Sequence, residues 1–155
     1  IAQFFFFAAE ISAAGISSSV LKKNDVKRLG RAIKKNADVN SRDWFGRTPL
    51  MKAARFNAVE SAVLLIENGA EINTRDKNGW TALMWASVEC SSSSVKLLIE
   101  RGADATVSDK LGYTALMFAE DKKCAAVCDM LKDALKNQAE KNSTQEDVDK
   151  NDSQK

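Results

Sequence analysis

The three cysteines are the side chains of this sequence best suited to metal binding or redox chemistry. Cys124 and Cys128 are four residues apart in a segment with helical periodicity, so they could share a helix face, with Cys90 nearby. Three thiolates leave a tetrahedral zinc site one ligand short, and the spacing is not Cys-x-x-Cys. Three cysteines cannot all pair. We therefore expect buried apolar cysteines without structural disulfides, in a reducing compartment, and no metal site.

Other catalytic side chains and motifs are missing from the sequence. It contains no histidine, which excludes Ser-His-Asp triads, His-Glu-x-x-His zinc sites and imidazole general bases. It contains neither Gly-x-Gly-x-x-Gly nor a phosphate loop ending in Gly-Lys-Ser/Thr. Glu120 and Asp121 are adjacent carboxylates on a predicted helix, without a pocket around them. We predict that the protein is not an enzyme and uses no cofactor.

Length and charge limit which classes of protein the sequence could encode. The chain has 155 residues, of which 45% are hydrophobic, enough for one domain with tails. The net charge of +2 is too small to indicate a phosphate-binding surface. The longest apolar run is far shorter than the ~20 residues that span a bilayer. Because the sequence begins with Ile1 rather than Met, we expect a processed or trimmed product, and any upstream targeting segment would precede Ile1. The cysteine usage predicts an intracellular, cytoplasmic protein.

One short pattern occurs three times at a constant spacing. Asp76 to Leu83 reads Asp-Lys-Asn-Gly-Trp-Thr-Ala-Leu, and its Asp, Gly, Thr and Leu recur 33 residues earlier, from Asp43 to Leu50, and 33 residues later, from Asp109 to Leu116. A methionine follows each leucine, at Met51, Met84 and Met117. A fixed period of about 33 residues predicts a stack of repeated units.

The repeated pattern resembles the ankyrin repeat, whose signature reads Asp-x-x-Gly-x-Thr-Pro-Leu-His-x-Ala. The resemblance covers about residues 15 to 136. Only Thr48-Pro49-Leu50 keeps the proline, and methionine replaces the family histidine in all three copies. The resemblance implies an all-α solenoid of about four helix-turn-helix repeats with β-turn tips, and degenerate capping repeats at both ends.

Local signals place the helices within each repeat. Thr48, Thr81 and Thr114 suit the N-cap of a short first helix, and Pro49 suits its first turn. Asn57 with Glu60 resembles a capping box for the second helix, and one hydroxyl of Ser91–Ser94 could cap the second helix of the next repeat. Gly69 and Gly102 lie where the chain must adopt a positive φ to leave that helix.

The two ends of the chain differ from the repeats. Residues 1–14 include the run Phe4–Phe7, which could be a cap on the first repeat, an anchor for a membrane or partner, or residues added in cloning. Residues 15–136 form the predicted repeat domain, divided at about 15–38, 39–71, 72–104 and 105–136. The first repeat is degenerate and basic, and we expect a solvated cap rather than a binding patch. Residues 137–155 are polar and are predicted to be a disordered tail.

The resemblance also implies where a partner would bind, because the turn tips and the exposed face of the first helices form a concave surface in this family. At the corresponding positions the sequence has mainly aromatic and basic residues. The candidate partner-binding residues are Trp44, Phe45, Arg47, Lys52, Arg55, Phe56, Trp80, Trp85, Val88, Tyr113 and Phe118, with Lys77, Asn78, Lys110 and Leu111 at the tips.

The tryptophans allow two interpretations. Trp80 and Trp85 could pack within the stack as core, or they could be exposed on the binding surface. We favour exposure, because Leu, Ala and Val already occupy the core positions and stacking requires small residues there. Aromatic and Arg side chains are enriched at interface hot spots.

These residues predict a non-catalytic protein–protein interaction module, an adaptor or scaffold. Its partner would be a protein or peptide segment that is apolar with some acidic residues. A small-molecule substrate is not expected, and neither is nucleic acid. The alternative is a structural subunit of a larger or membrane-associated assembly, anchored through Phe4–Phe7, which is also the only segment expected to contact a membrane.

Two modifications are further candidates. Asn73 follows Glu71-Ile72, in a context that resembles the asparagine hydroxylated in some ankyrin repeats, and hydroxylation would tune stability rather than create an activity. Ser91–Ser94 lie at a predicted turn between helices and could be phosphorylated, although four serines alone are weak evidence.

Overall fold

The computed structural model describes residues 15–152, with side chains described up to residue 141. This part of the chain contains eight helices and two isolated β-bridges. The helices are α1 (Ser18–Lys22), α2 (Val26–Lys34), α3 (Pro49–Arg55), α4 (Val59–Glu67), α5 (Ala82–Val88), α6 (Ser92–Glu100), α7 (Ala115–Asp121) and α8 (Ala125–Asp152). The predicted N-terminal segment with Phe4–Phe7 lies outside the described residues.

The eight helices form four pairs that stack along one direction. The first helices α1, α3, α5 and α7 contact one another in that order, and the second helices α2, α4, α6 and α8 do the same. Each pair therefore packs mainly on its sequence neighbours, as expected of a repeat stack. The all-α solenoid with four helix-turn-helix repeats is confirmed.

The first helix of each full repeat begins as predicted. The hydroxyl of each of three threonines accepts a hydrogen bond from the backbone N–H three residues on, at 3.3 Å for Thr48 and Thr81 and 3.4 Å for Thr114. Pro49 lies in the first turn of α3, where its missing N–H costs no hydrogen bond. These caps satisfy donors that would otherwise be unpaired near the core.

Small residues on the first helices let neighbouring pairs approach closely. Ala53, Ala54 and Ala86 are fully buried, together with Leu50 and Leu83. The methionines that replace the family histidine, Met51 and Met84, are also buried and fill the space between pairs. In isolation these helices of seven to nine residues would be marginal, so stacking provides most of their stability.

Asparagine side chains connect successive helix pairs. The contacts of Asn57 differ from the cap predicted from the sequence. The Oδ1 atom of Asn57 accepts a hydrogen bond from the N–H of Ser94 (3.0 Å), in the first turn of α6 of the next pair. In the same way Asn24 accepts hydrogen bonds from the N–H and the hydroxyl of Ser61 in α4. Asn57 is therefore not part of a capping box for its own helix, and no side chain of Ser91 caps α6. Helices α4 and α6 are therefore capped from the preceding repeat, whereas α2 is capped by Asp25 of its own repeat.

The cysteines are arranged differently from the prediction. Cys90 and Cys124 form a disulfide with their Cα atoms 5.7 Å apart, whereas Cys128 is free and buried. Cys90 occupies the repeat position held by Asn24 and Asn57, so a covalent bond joins the third and fourth pairs where a hydrogen bond joins the earlier ones. The pairing contradicts the expectation of cysteines without disulfides. It also removes the argument from cysteine usage for a reducing compartment.

The predicted boundary between the last repeat and a disordered tail, at residue 136, lies within helix α8, and the extent of the tail stays a prediction. Helix α8 continues through residue 136 to Asp152. The amide of Gln138 donates to the carbonyl of Ala103 (2.8 Å) and accepts from the N–H of Ala105 (3.1 Å), so the helix contacts the stack beyond the predicted boundary.

The inter-repeat cap gives a stability prediction. Asn57 adopts a positive φ of 52°, a conformation that glycine tolerates, so Asn57→Gly removes the hydrogen bond to Ser94 without adding backbone strain. We expect a loss of about 1 kcal/mol in the free energy of unfolding, measured by urea titration, because one hydrogen bond is lost.

The matched control is Lys123→Gly. Lys123 has the same repeat position and a φ of 58°, and its side chain is exposed. This change should leave stability unchanged or raise it slightly. Equal losses in the two variants would contradict a capping role for Asn57.

Candidate functional site

Each full repeat begins with a turn that is closed by an aspartate side chain. The Oδ1 atom of Asp76 accepts hydrogen bonds from the N–H groups of Asn78 (2.8 Å) and Trp80 (2.9 Å). Asp43 and Asp109 make the same pair of bonds in their own turns, all at 2.9 Å. The turn also needs a glycine at its fourth position, where Gly79 has a φ of +86° and a Cβ would meet the next turn at 3.1 Å. The spacing Asp-x-x-Gly is thus fixed by backbone geometry.

The second oxygen of each turn aspartate binds a candidate partner-binding side chain. Oδ2 of Asp109 accepts from Nε1 of Trp80 (3.0 Å), and Oδ2 of Asp76 accepts from Nε1 of Trp85 (3.2 Å). Oδ2 of Asp43 instead contacts Arg47 (3.0 Å) and Lys52 (3.2 Å). The turns therefore orient the side chains on the surface made by the three turns and by α3, α5 and α7, which we term the turn face.

Four rings form a continuous aromatic cluster on the turn face. The ring centroid of Trp80 lies 4.7 Å from that of Trp85 and 4.4 Å from that of Phe118, and Tyr113 lies 5.8 Å from Phe118. Tyr113 is half exposed, whereas the other three rings are half-buried and pack against the core. The expectation that Trp80 and Trp85 are exposed is corrected, because both rings are half-buried, pack against the core and donate a hydrogen bond to a turn carboxylate.

A small basic cavity of about 170 Å³ lies at the N-terminal end of this cluster. The guanidinium carbons of Arg47 and Arg55 are 6.0 and 5.2 Å from the centroid of the Trp85 ring, within the range of cation–π attraction. Five predicted residues and two others line the cavity: Arg47, Lys52, Arg55, Phe56 and Trp85, with Ser18 and Met51. It is therefore a cationic cavity with an apolar floor.

The charges of the basic cavity are only partly balanced by the residues that the structure describes. Arg47 and Lys52 share the single carboxylate of Asp43, and Arg55 pairs with Glu89 at 2.9 Å. Burial by itself would raise the pKa of the Asp43 carboxyl. The backbone N–H of Arg47 and the positive charges of Lys52 and Arg47 outweigh burial and hold that pKa below its ordinary value. Three cations thus face two carboxylates, which leaves a net positive charge.

A larger aromatic cavity of about 520 Å³ lies toward the C-terminal end of the turn face. Trp80, Tyr113 and Phe118 form its walls, and Leu111, 82% exposed, stands at its edge. Asn78, Asp109 and Lys110 complete the lining. Oδ2 of Asp109 is already bonded to Trp80, so the cavity presents mainly apolar surface.

The other predicted residues lie outside these two cavities. Trp44 is 83% exposed at its turn tip, with Nζ of Lys77 at 4.9 Å from the centroid of its ring. Phe45 is also exposed, and the guanidinium carbon of Arg47 is 4.6 Å from its ring centroid. Val88 is half-buried and lines neither cavity. Trp44 and Phe45 extend the turn face, and Val88 is the last residue of α5.

Sequence reasoning missed three functional contributions. Asp76 and Asp109 were identified only as parts of the repeat pattern, although their carboxylates hold the tryptophans. Met51 was identified only as a core filler. An aspartate precedes Trp80 and Tyr113 by four residues, and this spacing could have indicated a role for Asp76 and Asp109. However, the side chain bonded to Asp109 is that of Trp80, which lies 29 residues earlier in the chain.

The structure shows the contacts of Asn73 and the exposure of the serine run, the two candidate modification sites. The side chain of Asn73 donates to the carbonyl of Gly102 (3.2 Å) and accepts from the N–H of Asp104 (2.9 Å), which links two repeats. Asn40 makes the equivalent bonds one repeat earlier. In the serine run, Ser92 and Ser93 are exposed, whereas Ser91 and Ser94 are buried. Hydroxylation of Asn73 and phosphorylation in this run stay predictions.

Membrane-spanning helices and clusters of metal ligands are both absent from the part of the chain that the structure describes. Between residues 15 and 152, no helix is both long enough and apolar enough to cross a membrane. In the same range, no group of three or more His, Cys, Asp or Glu side chains is placed to hold a metal ion.

Comparison with known proteins identifies the repeats. A family model described as ankyrin repeats (3 copies) matches residues 18–109 and, in a second overlapping match, residues 76–145. The two matches together include the turn face and part of every helix pair. No curated protein matches the chain.

The lowered pKa of Asp43 gives a pH-dependent prediction. A carboxyl whose pKa is lower in the folded state stabilises the protein above its unfolded pKa of about 4, and that stabilisation is lost as the pH falls through the folded value. Asp43→Asn should therefore cost up to about 1 kcal/mol at pH 7, because the partners are partly exposed. The cost should shrink at pH 3.

Urea titrations of both proteins at the two pH values give this difference. Asp133→Asn is the control, since Asp133 is exposed on α8, and it should show no cost at either pH. A cost for Asp43→Asn that is as large at pH 3 as at pH 7 would show that its charge is not what stabilises the turn.

Proposed function

The chain belongs to the ankyrin repeat family, whose members generally mediate protein–protein interactions, and we propose that it is a non-catalytic adaptor or scaffold that binds a partner segment on the turn face. The family is typically non-enzymatic. The observation that carries the proposal is the pair of adjacent cavities on that face, one basic and one aromatic. Partner identity does not follow from the fold, so the argument rests on this surface.

The composition of the turn face supports binding of another protein. Large apolar side chains that are exposed there include Trp44, Phe45, Leu111 and Tyr113, with exposures from 50% to 83%. A protein gains little from leaving such side chains in water, and contiguous exposed apolar surface commonly marks an interaction site. Trp, Tyr and Arg are the residue types that most often contribute the binding energy of interfaces.

The fixed orientation of the side chains also favours binding. The indole rings of Trp80 and Trp85 are held by the turn carboxylates, and Arg47 is held by Asp43. Side chains that are already ordered lose little conformational entropy when a partner binds. The side chains of the turn face are therefore already ordered before a partner binds.

The chemistry of the cavities indicates the character of the partner. The net positive basic cavity suits an acidic group, and the aromatic cavity suits an apolar one. A partner segment that is apolar with some acidic residues matches both. Small molecules and nucleic acid fit less well, because the face is divided between an apolar half and a cationic half with internal carboxylates.

The proposal is tested by quantitative affinity capture from cell extract. The double variant Leu111→Ser/Tyr113→Ala removes exposed side chains that carry no core packing. We expect at least tenfold weaker capture of the main partners, since a hot-spot truncation costs ~2 kcal/mol or more. Far-UV circular dichroism should confirm that the variant retains its helicity.

The matched control is Val26→Ser, which removes an exposed apolar side chain on α2, away from the turn face. It should capture the same partners as the unchanged protein. Unchanged capture by the double variant would contradict the proposal. Loss of all capture on deletion of residues 1–14, with no effect of the double variant, would instead favour the structural subunit anchored through Phe4–Phe7.

A further inference from the structure

We infer that the partner segment carries one carboxylate side chain and one bulky apolar side chain, two to four positions apart in an extended strand. The carboxylate enters the basic cavity and the apolar side chain enters the aromatic cavity. The inference rests on the proposed function, because it specifies the partner of the same surface. It follows from the charge, the volume and the separation of the two cavities.

Charge selects the group that enters the basic cavity. Among the described residues, Arg47, Lys52 and Arg55 form ion pairs with two carboxylates, those of Asp43 and Glu89. One further negative charge would complete the balance. The carboxylate of an Asp or Glu side chain supplies one charge, whereas a phosphoryl group would bring between one and a half and two. A carboxylate is therefore the better match.

The volume and the walls of the basic cavity agree with this choice. A volume of about 170 Å³ admits a short acidic side chain with some of its water. Met51 and the Trp85 ring form apolar walls, which lower the local dielectric constant and strengthen the attraction between a carboxylate and the guanidinium groups. The Trp85 ring also orients the guanidinium groups of Arg47 and Arg55.

The aromatic cavity selects an apolar side chain. Its volume of about 520 Å³ accommodates a Phe, Trp, Leu or Met side chain. The walls are the rings of Trp80, Tyr113 and Phe118, which offer dispersion contacts over a large area. Lys110 in the lining repels a cationic side chain, and the rings gain the largest contact area from a bulky apolar one.

Repeat geometry sets the spacing between the two side chains. Apart from Ser18, the lining of the basic cavity comes from the second and third repeats, and that of the aromatic cavity comes from the third and fourth, so the two cavities are offset by one repeat. The ring centroids of Trp85 in one cavity and Trp80 in the other are 4.7 Å apart, so the cavities are neighbours. Packed helices lie about 8–10 Å apart, and an extended strand rises about 3.3 Å per residue. About three residues of an extended segment therefore cover the separation.

The test is selection from a displayed library of random, linear 12-residue peptides on the full-length protein. The inference predicts enrichment of Asp or Glu with a bulky apolar residue two to four positions away, in either order along the peptide. Affinities of synthetic versions would be measured by fluorescence polarisation. Moving the two side chains to adjacent positions or to eight positions apart should weaken binding at least tenfold.

Two variants separate the contributions of the cavities. Arg55→Met keeps the apolar stem and removes one positive charge, and it should abolish the acidic preference while apolar enrichment remains. Leu111→Ser/Tyr113→Ala should do the reverse. Lys132→Met, which removes an exposed cation on α8 that pairs with Glu120, is the control and should select the same peptides as the unchanged protein.

The outcomes also separate this inference from the proposed function. Peptides that lose binding in Leu111→Ser/Tyr113→Ala but lack the acid–apolar pair would overturn the inference and leave the proposed function standing. Selected peptides that bind every turn-face variant equally would overturn both. Replacing the acid by phosphoserine should not tighten binding, and a tenfold gain would overturn the choice of a carboxylate.

Discussion

The hydrogen bonds of the turn aspartates are the interaction on which the rest of the structure depends. In each full repeat one carboxylate oxygen closes the turn, and the other holds a side chain of the turn face. The turn aspartate thus sets the direction in which the first helix begins. It also orients an aromatic or cationic side chain of the turn face. For Asp109 the bound side chain, Trp80, belongs to the preceding repeat, so that bond also joins two repeats. A buried carboxylate is stable when both of its oxygens accept hydrogen bonds. Leaving one oxygen without a partner costs free energy of unfolding.

The turn face exists only because the repeats are stacked. The basic cavity needs Trp85 from the third repeat, and the aromatic cavity needs Trp80 from the third repeat beside residues of the fourth. Several bonds keep these boundaries in register, among them the backbone bond from the N–H of Lys77 to the carbonyl of Phe45 (3.0 Å) and the disulfide from Cys90 to Cys124. Local opening of one boundary would therefore remove one cavity and spare the other.

Sequence reasoning succeeded where the cause was local. The threonine caps and the positive φ of Gly69 and Gly102 depend on a few neighbouring residues, and the period of the pattern predicted the stack itself. It failed where a side chain had a choice of partners. Asn57 resembled a cap for its own helix, but it caps α6 in the next repeat, 37 residues along the chain. Contacts between repeats likewise determine the half-burial of Trp80 and Trp85 and the Cys90–Cys124 disulfide. Composition alone did not indicate how far α8 extends.

The most direct test of this account is the rate at which the three indole N–H protons exchange with water, measured by NMR on the full-length chain. Trp80 and Trp85 donate to turn carboxylates, whereas Trp44 is 83% exposed. The account predicts that the Trp44 proton exchanges at least tenfold faster than the other two. Equal exchange at all three tryptophans would show that the turn aspartates do not hold the rings, and it would contradict the organisation of the turn face described above.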